Sequence, residues 1–280
     1  MIVAGAGVQG TAHLAAGLGC QDAFRAVDLG DTAVLAVADG AGSRERSALG
    51  AHIAVDAACR LLTEEIPRAQ EAPETWTRWI AGRGVRVVEE YRRAAEGVLG
   101  ADSRDAGPGA GPADLGALAA ALAAAVVRPP WVAFVSVGDC FGTLLTHEDP
   151  AGTVSDDEKC ARVRCHLVLP PPPPGAPRPP FLSSPGATLR VRTFVVWEPA
   201  LSGVVLATDG CAALTLDHPS VRELRPEAGP LPAERFFGGL AATLRGNGGD
   251  AEPLRALLSG PGAARTGDDL TVLCALVEGG

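Results

Sequence analysis

The 280-residue chain has almost no lysine and few aromatic side chains. Lys159 is the only lysine, so nearly all basic side chains are arginines, and aromatic residues make up 4% of the chain. Because 47% of the residues are hydrophobic, we expect a core of normal size built mainly from alanine, valine and leucine. The length fits one large two-layer domain over residues 1–280.

Clusters of basic residues are also missing, and the formal net charge is -9. Nucleic-acid binding needs clustered cations for phosphate contacts, so we expect no nucleic-acid partner. The longest apolar run, residues 117–127, is too short to cross a bilayer, which takes about 20 residues. No basic segment precedes an apolar stretch near the N-terminus, so we expect neither a signal peptide nor a membrane association.

The seven cysteines are odd in number and contain no CxxC pair. This usage fits reduced thiols better than a disulfide framework or a zinc site, and it predicts a cytoplasmic protein.

Hydrophobic periodicity predicts strands and helices grouped in runs rather than in strict alternation. The predicted strands are 23–28, 32–38, 131–137, 141–146, 190–196, 204–207 and 270–277, and the predicted helices are 44–66, 74–99, 233–244 and 252–258. The first two strands are expected to form a hairpin around Gly30 and Asp31, and strands 131–137 and 141–146 a second one. Residues 115–127 fit either an alanine-rich helix or a further strand. The order indicates an α+β domain with helices packed on antiparallel sheets.

Two segments are predicted to be surface loops. Residues 102–112 are rich in Gly, Pro and Asp, and eight of the eleven residues in 170–180 are proline. A proline run of this kind is extended polyproline or irregular loop. Recruitment of a proline-reading partner is the alternative, with a plain loop favoured.

The segment GAGVQG, residues 5–10, matches a dinucleotide-binding fingerprint, with Asp28 at the distance of a ribose-binding acid. That mechanism needs a buried strand before the glycines and a helix after them. Only four residues precede Gly5, and Gly17 and Gly19 interrupt the would-be helix. In a chain with 35 glycines the pattern is weak evidence, and we reject the nicotinamide-enzyme interpretation.

Four apolar runs are each joined directly to an aspartate. VLAVADGAG carries Asp39, VAFVSVGDC carries Asp139, VVLATDGCA carries Asp209, and TGDDLTVLCALV begins with Asp268 and Asp269. A single Asp-Gly pair usually marks a turn. Four such strand ends can converge at one edge of a sheet sandwich, and converging carboxylates need a cation.

Oxygen ligands select hard cations, so the pattern favours Mg²⁺ or Mn²⁺ over zinc. Glycine directly after Asp39 and after Asp209 would let the backbone carbonyl approach the ion. Two ions about 3.5–4 Å apart bind phosphoryl oxygens and activate water, which allows hydrolysis without a protein nucleophile.

With these motifs in place, the chain resembles the metal-dependent protein phosphatases of the PPM, or type 2C, family, and in particular bacterial members with a G-x-x-H…QDAF segment. The likeness spans nearly the whole chain. Its motifs are GCQDAF (19–24), VADGAGS (37–43), VGDC (137–140), ATDGCAAL (207–214) and GDDLTVL (267–273).

The resemblance implies an α-β-β-α sandwich of two antiparallel sheets flanked by helices, with a dinuclear centre at one edge. The implied metal ligands are Asp22, Asp39, the Gly40 carbonyl, Asp139, Asp209 and Asp268. Asp39 would bridge both ions and Asp209 would hold the second, so these two acids are the central catalytic candidates. Asp139 with Asp209 would form a weaker third site.

Two positions depart from the family pattern. Ala41 stands where animal-type members have a histidine after the first Asp-Gly, and Gly17 stands where an arginine often grips phosphate. His13 and Arg44 are the candidates for substrate contact, and His13 is also a catalytic candidate.

The resemblance therefore implies hydrolysis of phosphoserine and phosphothreonine in proteins, with the target of a Ser/Thr kinase as partner. A catalytically weak phosphatase fold that binds or senses a partner in kinase signalling stays open as the alternative.

Overall fold

The computed structural model describes residues 1–42, 44, 46–105, 114–147, 163–173, 177 and 179–278. The strands are β1 Ile2–Val8, β2 Asp22–Asp28, β3 Ala33–Gly40, β4 Ala120–Arg128, β5 Trp131–Val137, β6 Phe141–His147, β7 Val163–Leu169, β8 Arg192–Trp197, β9 Leu201–Ala207, β10 Leu216–Asp217, β11 Leu231–Pro232 and β12 Leu270–Leu276. The helices are α1 Thr11–Ala15, α2 Ser47–Leu62, α3 Pro73–Asp105, α4 Ala212–Thr215, α5 Glu234–Gly246 and α6 Glu252–Leu258.

Two five-stranded antiparallel sheets form the centre of the molecule. Sheet I has the order β2-β3-β4-β5-β8, and sheet II has the order β1-β12-β9-β6-β7. β10 and β11 form a separate two-stranded ribbon. Helices α2 and α3 pack on sheet I, and α5 and α6 pack on sheet II. The predicted α+β class and the α-β-β-α sandwich are both confirmed.

Successive side chains of β3 point alternately into two different layers of the core. Val34 and Ala36 pack in the core under α2 and α3. Leu35 and Val37 point the other way, into the core between the sheets. Since the period is two, Asp39 continues on the inter-sheet side at the end of the strand.

The alanine-rich segment that sequence patterns leave ambiguous is a central strand. Residues 115–118 form a short 3-10 turn, and β4 follows with every residue but its last fully enclosed. Both faces of β4 are covered, so its sequence is a continuous apolar run rather than an alternating one. Helix α2 comes close to the turn before β4, since a Cβ on Gly50 would lie only 2.0 Å from the Leu118 carbonyl oxygen.

The second predicted hairpin is wrong, although its strands are placed correctly. β5 pairs with β4 and β8 in sheet I, whereas β6 pairs with β7 and β9 in sheet II. The intervening residues 138–140 cross from one sheet to the other, with Gly138 at a φ of +106°. This crossover carries Asp139 to the edge between the sheets.

The predicted loops are only partly covered by the described residues. Helix α3 continues to Asp105, into the predicted linker, and residues 106–113 lie outside the described ranges. The described residues of the proline run, 170–173, 177 and 179–180, carry neither helix nor strand. Just beyond the run, the Leu182 N–H donates to the Ala120 carbonyl at 2.9 Å, which fixes this segment beside the start of β4.

The glycine fingerprint falls mostly inside β1, a strand that the sequence analysis did not predict. β1 pairs antiparallel with β12, and its glycines face the Phe24 ring of β2. A Cβ on Gly5 would lie 2.9 Å from that ring and 2.8 Å from Leu273. These glycines therefore admit an aromatic ring between the sheets. Strand β7 was also missed. Among the described residues, no helix is long and apolar enough to span a membrane.

Candidate metal centre and active site

Strand ends from both sheets bring the predicted acids to one edge of the sandwich. Asp22 and Asp39 are cross-strand partners at the ends of β2 and β3. Asp139 lies in the crossover between the sheets, and Asp209 follows the end of β9 after one residue. Carboxylate oxygens of Asp39, Asp139 and Asp209 all lie within 4.8 Å of one another.

Burial and mutual repulsion disfavour ionisation of these acids. Burial is the largest cause that raises the pKa of Asp39 far above its usual range, and the charges of Asp22 and Asp209 add to it. Burial likewise raises the pKa of Asp209 and Asp139. Without a cation the cluster holds protons at neutral pH, so a bound cation would displace them.

One carboxylate oxygen has no partner within the described part of the chain. The Oδ1 atom of Asp139 is buried and accepts no hydrogen bond there. An unpaired buried acceptor costs about 1–3 kcal/mol, and a cation would satisfy it. The all-oxygen donor set suits Mg²⁺ or Mn²⁺ and fits the predicted metal site.

Asp22 is tied to the opposite sheet by a buried threonine. Its Oδ2 accepts a 2.8 Å hydrogen bond from the Thr208 hydroxyl, which in turn accepts one of 3.1 Å from the Thr271 N–H. Burial raises the pKa of Asp22, while the Thr208 and Thr271 hydroxyls pull it down. Thr208 is not among the residues predicted from the sequence. Its signal was its place directly before the Asp209-Gly210 pair.

The two acids before β12 have different surroundings. Asp268 is exposed and lies outside the group of three meeting oxygens, yet its charge raises the pKa of Asp39, Asp139 and Asp209. Asp269 is buried, and its Oδ1 and Oδ2 accept hydrogen bonds from the Gly10 N–H at 2.6 Å and the Gln21 N–H at 2.5 Å. Asp269 therefore ties the segments before α1 and β2 to β12, a role that the sequence analysis missed.

The glycines after the acids are required by packing. A Cβ on Gly40 would lie 2.7 Å from the carbonyl oxygens of Gln21 and Ser47. A Cβ on Gly210 would lie 2.2 Å from the Asp269 carbonyl oxygen. Close backbone contact explains both glycines without an ion.

Gly210→Ala should therefore destabilise the protein and displace Asp209. Backbone has to shift to accept the methyl, and we expect a loss of about 2–4 kcal/mol in unfolding free energy. Denaturant unfolding measures this. The control is Gly239→Ala in α5, where a Cβ has open space and a helix gains about 0.5–1 kcal/mol from alanine. Equal stability of the two variants would contradict the packing argument.

Arg192 stabilises the crossover at residues 138–140 through hydrogen bonds. Its guanidinium donates to the Ser136 hydroxyl at 2.9 Å and to the Gly138 carbonyl at 3.3 Å, and its charge lowers the pKa of Asp139 against the effect of burial. Arg192 comes from β8, 54 residues along the chain from Gly138. No sequence motif links the two, so sequence reasoning did not find it.

The two candidates for substrate contact lie in different surroundings. His13 lies on α1, and its Nδ1 is 3.0 Å from Oδ2 of Asp269, although without the alignment of a hydrogen bond. Arg44 is exposed on the segment between β3 and α2. Gly17 has a φ of +69°, where a residue with a side chain would be strained.

Solved structures of protein phosphatases share this architecture. Serine/threonine phosphatase Stp1 from Staphylococcus aureus is 12% identical, with 100% of this chain and 96% of that chain covered at a TM-score of 0.52. The Mycobacterium tuberculosis serine/threonine phosphatase PstP/Ppp is 12% identical, with coverage of 99% and 100% at 0.52. PppA, a regulatory component of T6SS in Pseudomonas aeruginosa, is 16% identical, with coverage of 97% and 95% at 0.51. No curated protein sequence matches the chain significantly.

The fold is thus that of bacterial serine/threonine phosphatases. The sequence model of the protein phosphatase 2C family matches residues 9–259, and the chain belongs to this family. Its class is protein serine/threonine phosphatase.

Proposed function

We propose that residues 1–280 act as one phosphatase domain that hydrolyses phosphoserine and phosphothreonine with two Mg²⁺ or Mn²⁺ ions. The observation that carries the proposal is the meeting of Asp39, Asp139 and Asp209 oxygens within 4.8 Å, with Oδ1 of Asp139 unpartnered among the described residues. Three acids with raised pKa values at one edge of the sandwich are consistent with a cation site rather than a set of turns.

Different residues of the site would bind the ions and the substrate. Asp39, the Gly40 carbonyl, Asp209 and Asp268 would ligate the two ions, with Asp22 in support. Asp139 with Asp209 would hold a weaker third ion. When bound, the ions would neutralise phosphate charge and activate a water. Arg44, exposed on the segment between β3 and α2, would contact the phosphorylated segment.

The partner would be a phosphoprotein made by a Ser/Thr kinase, since that reaction supplies the substrate of this one. We further propose a cytoplasmic protein, because the six described cysteines are all free thiols.

A phosphatase assay with Asp209→Asn tests the proposal. We expect Mn²⁺-dependent cleavage of 4-nitrophenyl phosphate and of a phosphoserine peptide, loss of both activities with chelator, and a decrease of at least about 100-fold in the variant, since it loses an ion ligand. Asp250→Asn is the matched control, because Asp250 is exposed and an amide oxygen can still accept from the Glu252 N–H.

Two outcomes would count against the enzyme. Activity that does not depend on Asp209 would come from another site or a contaminant. Metal binding in calorimetry without any turnover would favour the alternative, a phosphatase fold kept as a binding or sensing module.

A further inference from the structure

His13 is held against a buried carboxylate beside the acid cluster. Asp269 is 2% exposed, and two backbone N–H groups fix its oxygens. The His13 Nδ1 lies 3.0 Å from Oδ2 of that carboxylate. Catalytic hydrogen bonds are often poorly aligned before substrate binds, so the imperfect angle at Nδ1 does not argue against a functional pair.

The other ring nitrogen of His13 borders the segment that follows β3. A Cβ placed on Gly42 would lie 3.5 Å from Nε2 of His13 and 3.5 Å from Oε1 of Gln21. Gln21 is 6% exposed, and its Oε1 has no hydrogen-bond partner among the described residues. The histidine ring therefore has a carboxylate beside Nδ1, and its Nε2 faces the same segment as the unpartnered Oε1 of Gln21.

The position of this group relative to the acids follows from the strand pairing. Gln21 precedes Asp22, and its carbonyl accepts a 3.1 Å hydrogen bond from the Gly40 N–H. Gly42 lies two residues after Gly40. Nε2 of His13 thus borders the segment that directly follows the end of β3, the strand that carries Asp39.

We infer that His13 is the proton donor to the leaving group and that Asp269 is its positioning residue. This inference rests on the proposed phosphatase function. A serine or threonine alkoxide is a poor leaving group, so its departure gains from a proton delivered in the transition state. Sequence motifs make His13 a candidate and give Asp269 no part in the reaction.

The proposed step balances without a further reactant. The oxygen of the attacking water forms the new P–O bond, and the bond between phosphorus and the serine oxygen breaks. The electron pair of that bond goes to the serine oxygen, which takes the proton from Nε2 of His13. The water proton is released to solvent, and the imidazole regains its proton from solvent before the next turnover.

Leaving-group dependence tests the donor. His13→Gln should lower kcat on a phosphoserine peptide at least about 100-fold, the size of a general-acid contribution. It should lower kcat on 4-nitrophenyl phosphate less than about 10-fold, because nitrophenolate leaves without a proton. The matched control is His52→Gln on the exposed side of α2, which should leave both rates unchanged. Mn²⁺ affinity measured by calorimetry should be the same in wild type and His13→Gln.

A separate measurement tests Asp269. In nitrogen NMR of the His13 ring, wild type should carry a proton on Nδ1, and Asp269→Asn should change the protonation pattern of the ring. If Asp269→Asn does not fold, the His13→Gln comparison decides alone. Equal losses on both substrates, or no loss on the peptide, would overturn the inference while leaving the phosphatase intact. Absence of any Asp39-dependent turnover in wild type would instead overturn the proposed function.

Discussion

Asp39→Asn should abolish metal-dependent phosphatase activity and at the same time make the metal-free protein more stable. Asp39 is a proposed metal ligand, and its pKa is raised by burial and by four neighbouring acids. Loss of this ligand should cost at least about 4 kcal/mol of transition-state stabilisation, or about 1,000-fold in kcat/KM. The neutral amide removes the cost of placing this carboxyl in the cluster, which should raise unfolding free energy at pH 7 by about 2–4 kcal/mol.

Because activity is expected to fall and stability to rise, the two measurements together distinguish a metal ligand from a structural residue. Denaturant unfolding in chelator measures stability, and initial rates with Mn²⁺ measure activity, both beside Asp250→Asn. A variant that lost activity and stability together would indicate a structural role for Asp39. A variant that kept its activity would remove Asp39 from the metal site.

Much of the fold is readable from the sequence because its strands are buried on both sides. β3, β5 and β9 lie between helices and the opposite sheet, so each is a continuous apolar run that leads into an aspartate motif. Such runs have clear ends, and the ends locate Asp39, Asp139 and Asp209. Helix α6 was predicted with its observed bounds.

The pairing of the strands and the contacts that support the site could not be predicted from the sequence in the same way. Local spacing suggested that strands 131–137 and 141–146 form a hairpin, but the covering of both sheet faces places them in different sheets. Arg192 and Thr208 act through contacts 54 and 186 residues apart in sequence, with Gly138 and Asp22. Neither contact leaves a local pattern. Asp268, the expected ligand, and Asp269, the buried acid, are adjacent in the sequence. Strand alternation alone does not tell which of these two acids is buried.

The metal-free protein should lose stability as pH rises, which is the reverse of the usual behaviour of carboxylates. Burial raises the pKa of Asp209 to about 6 and that of Asp22 to about 7. Between about pH 4 and pH 8 the folded state therefore binds more protons than the unfolded chain, and the stability falls as the pH rises through this range. Each pKa unit corresponds to about 1.4 kcal/mol, so Asp209 alone should contribute about 3 kcal/mol between pH 4 and pH 8.

Thermal unfolding at pH 5.5 and pH 8 in chelator measures this slope, and we expect the midpoint to be on the order of 5–10 °C lower at pH 8. Burial lowers the pKa of His147, so this residue makes stability rise with pH. Its contribution is the same in Asp39→Asn and in wild type. The difference between the two proteins therefore reports the acid cluster. Excess Mn²⁺ should reverse the wild-type slope, because the ion competes with protons and binds more tightly at high pH. A midpoint that rises with pH in chelator would show that these acids are ionised without a cation.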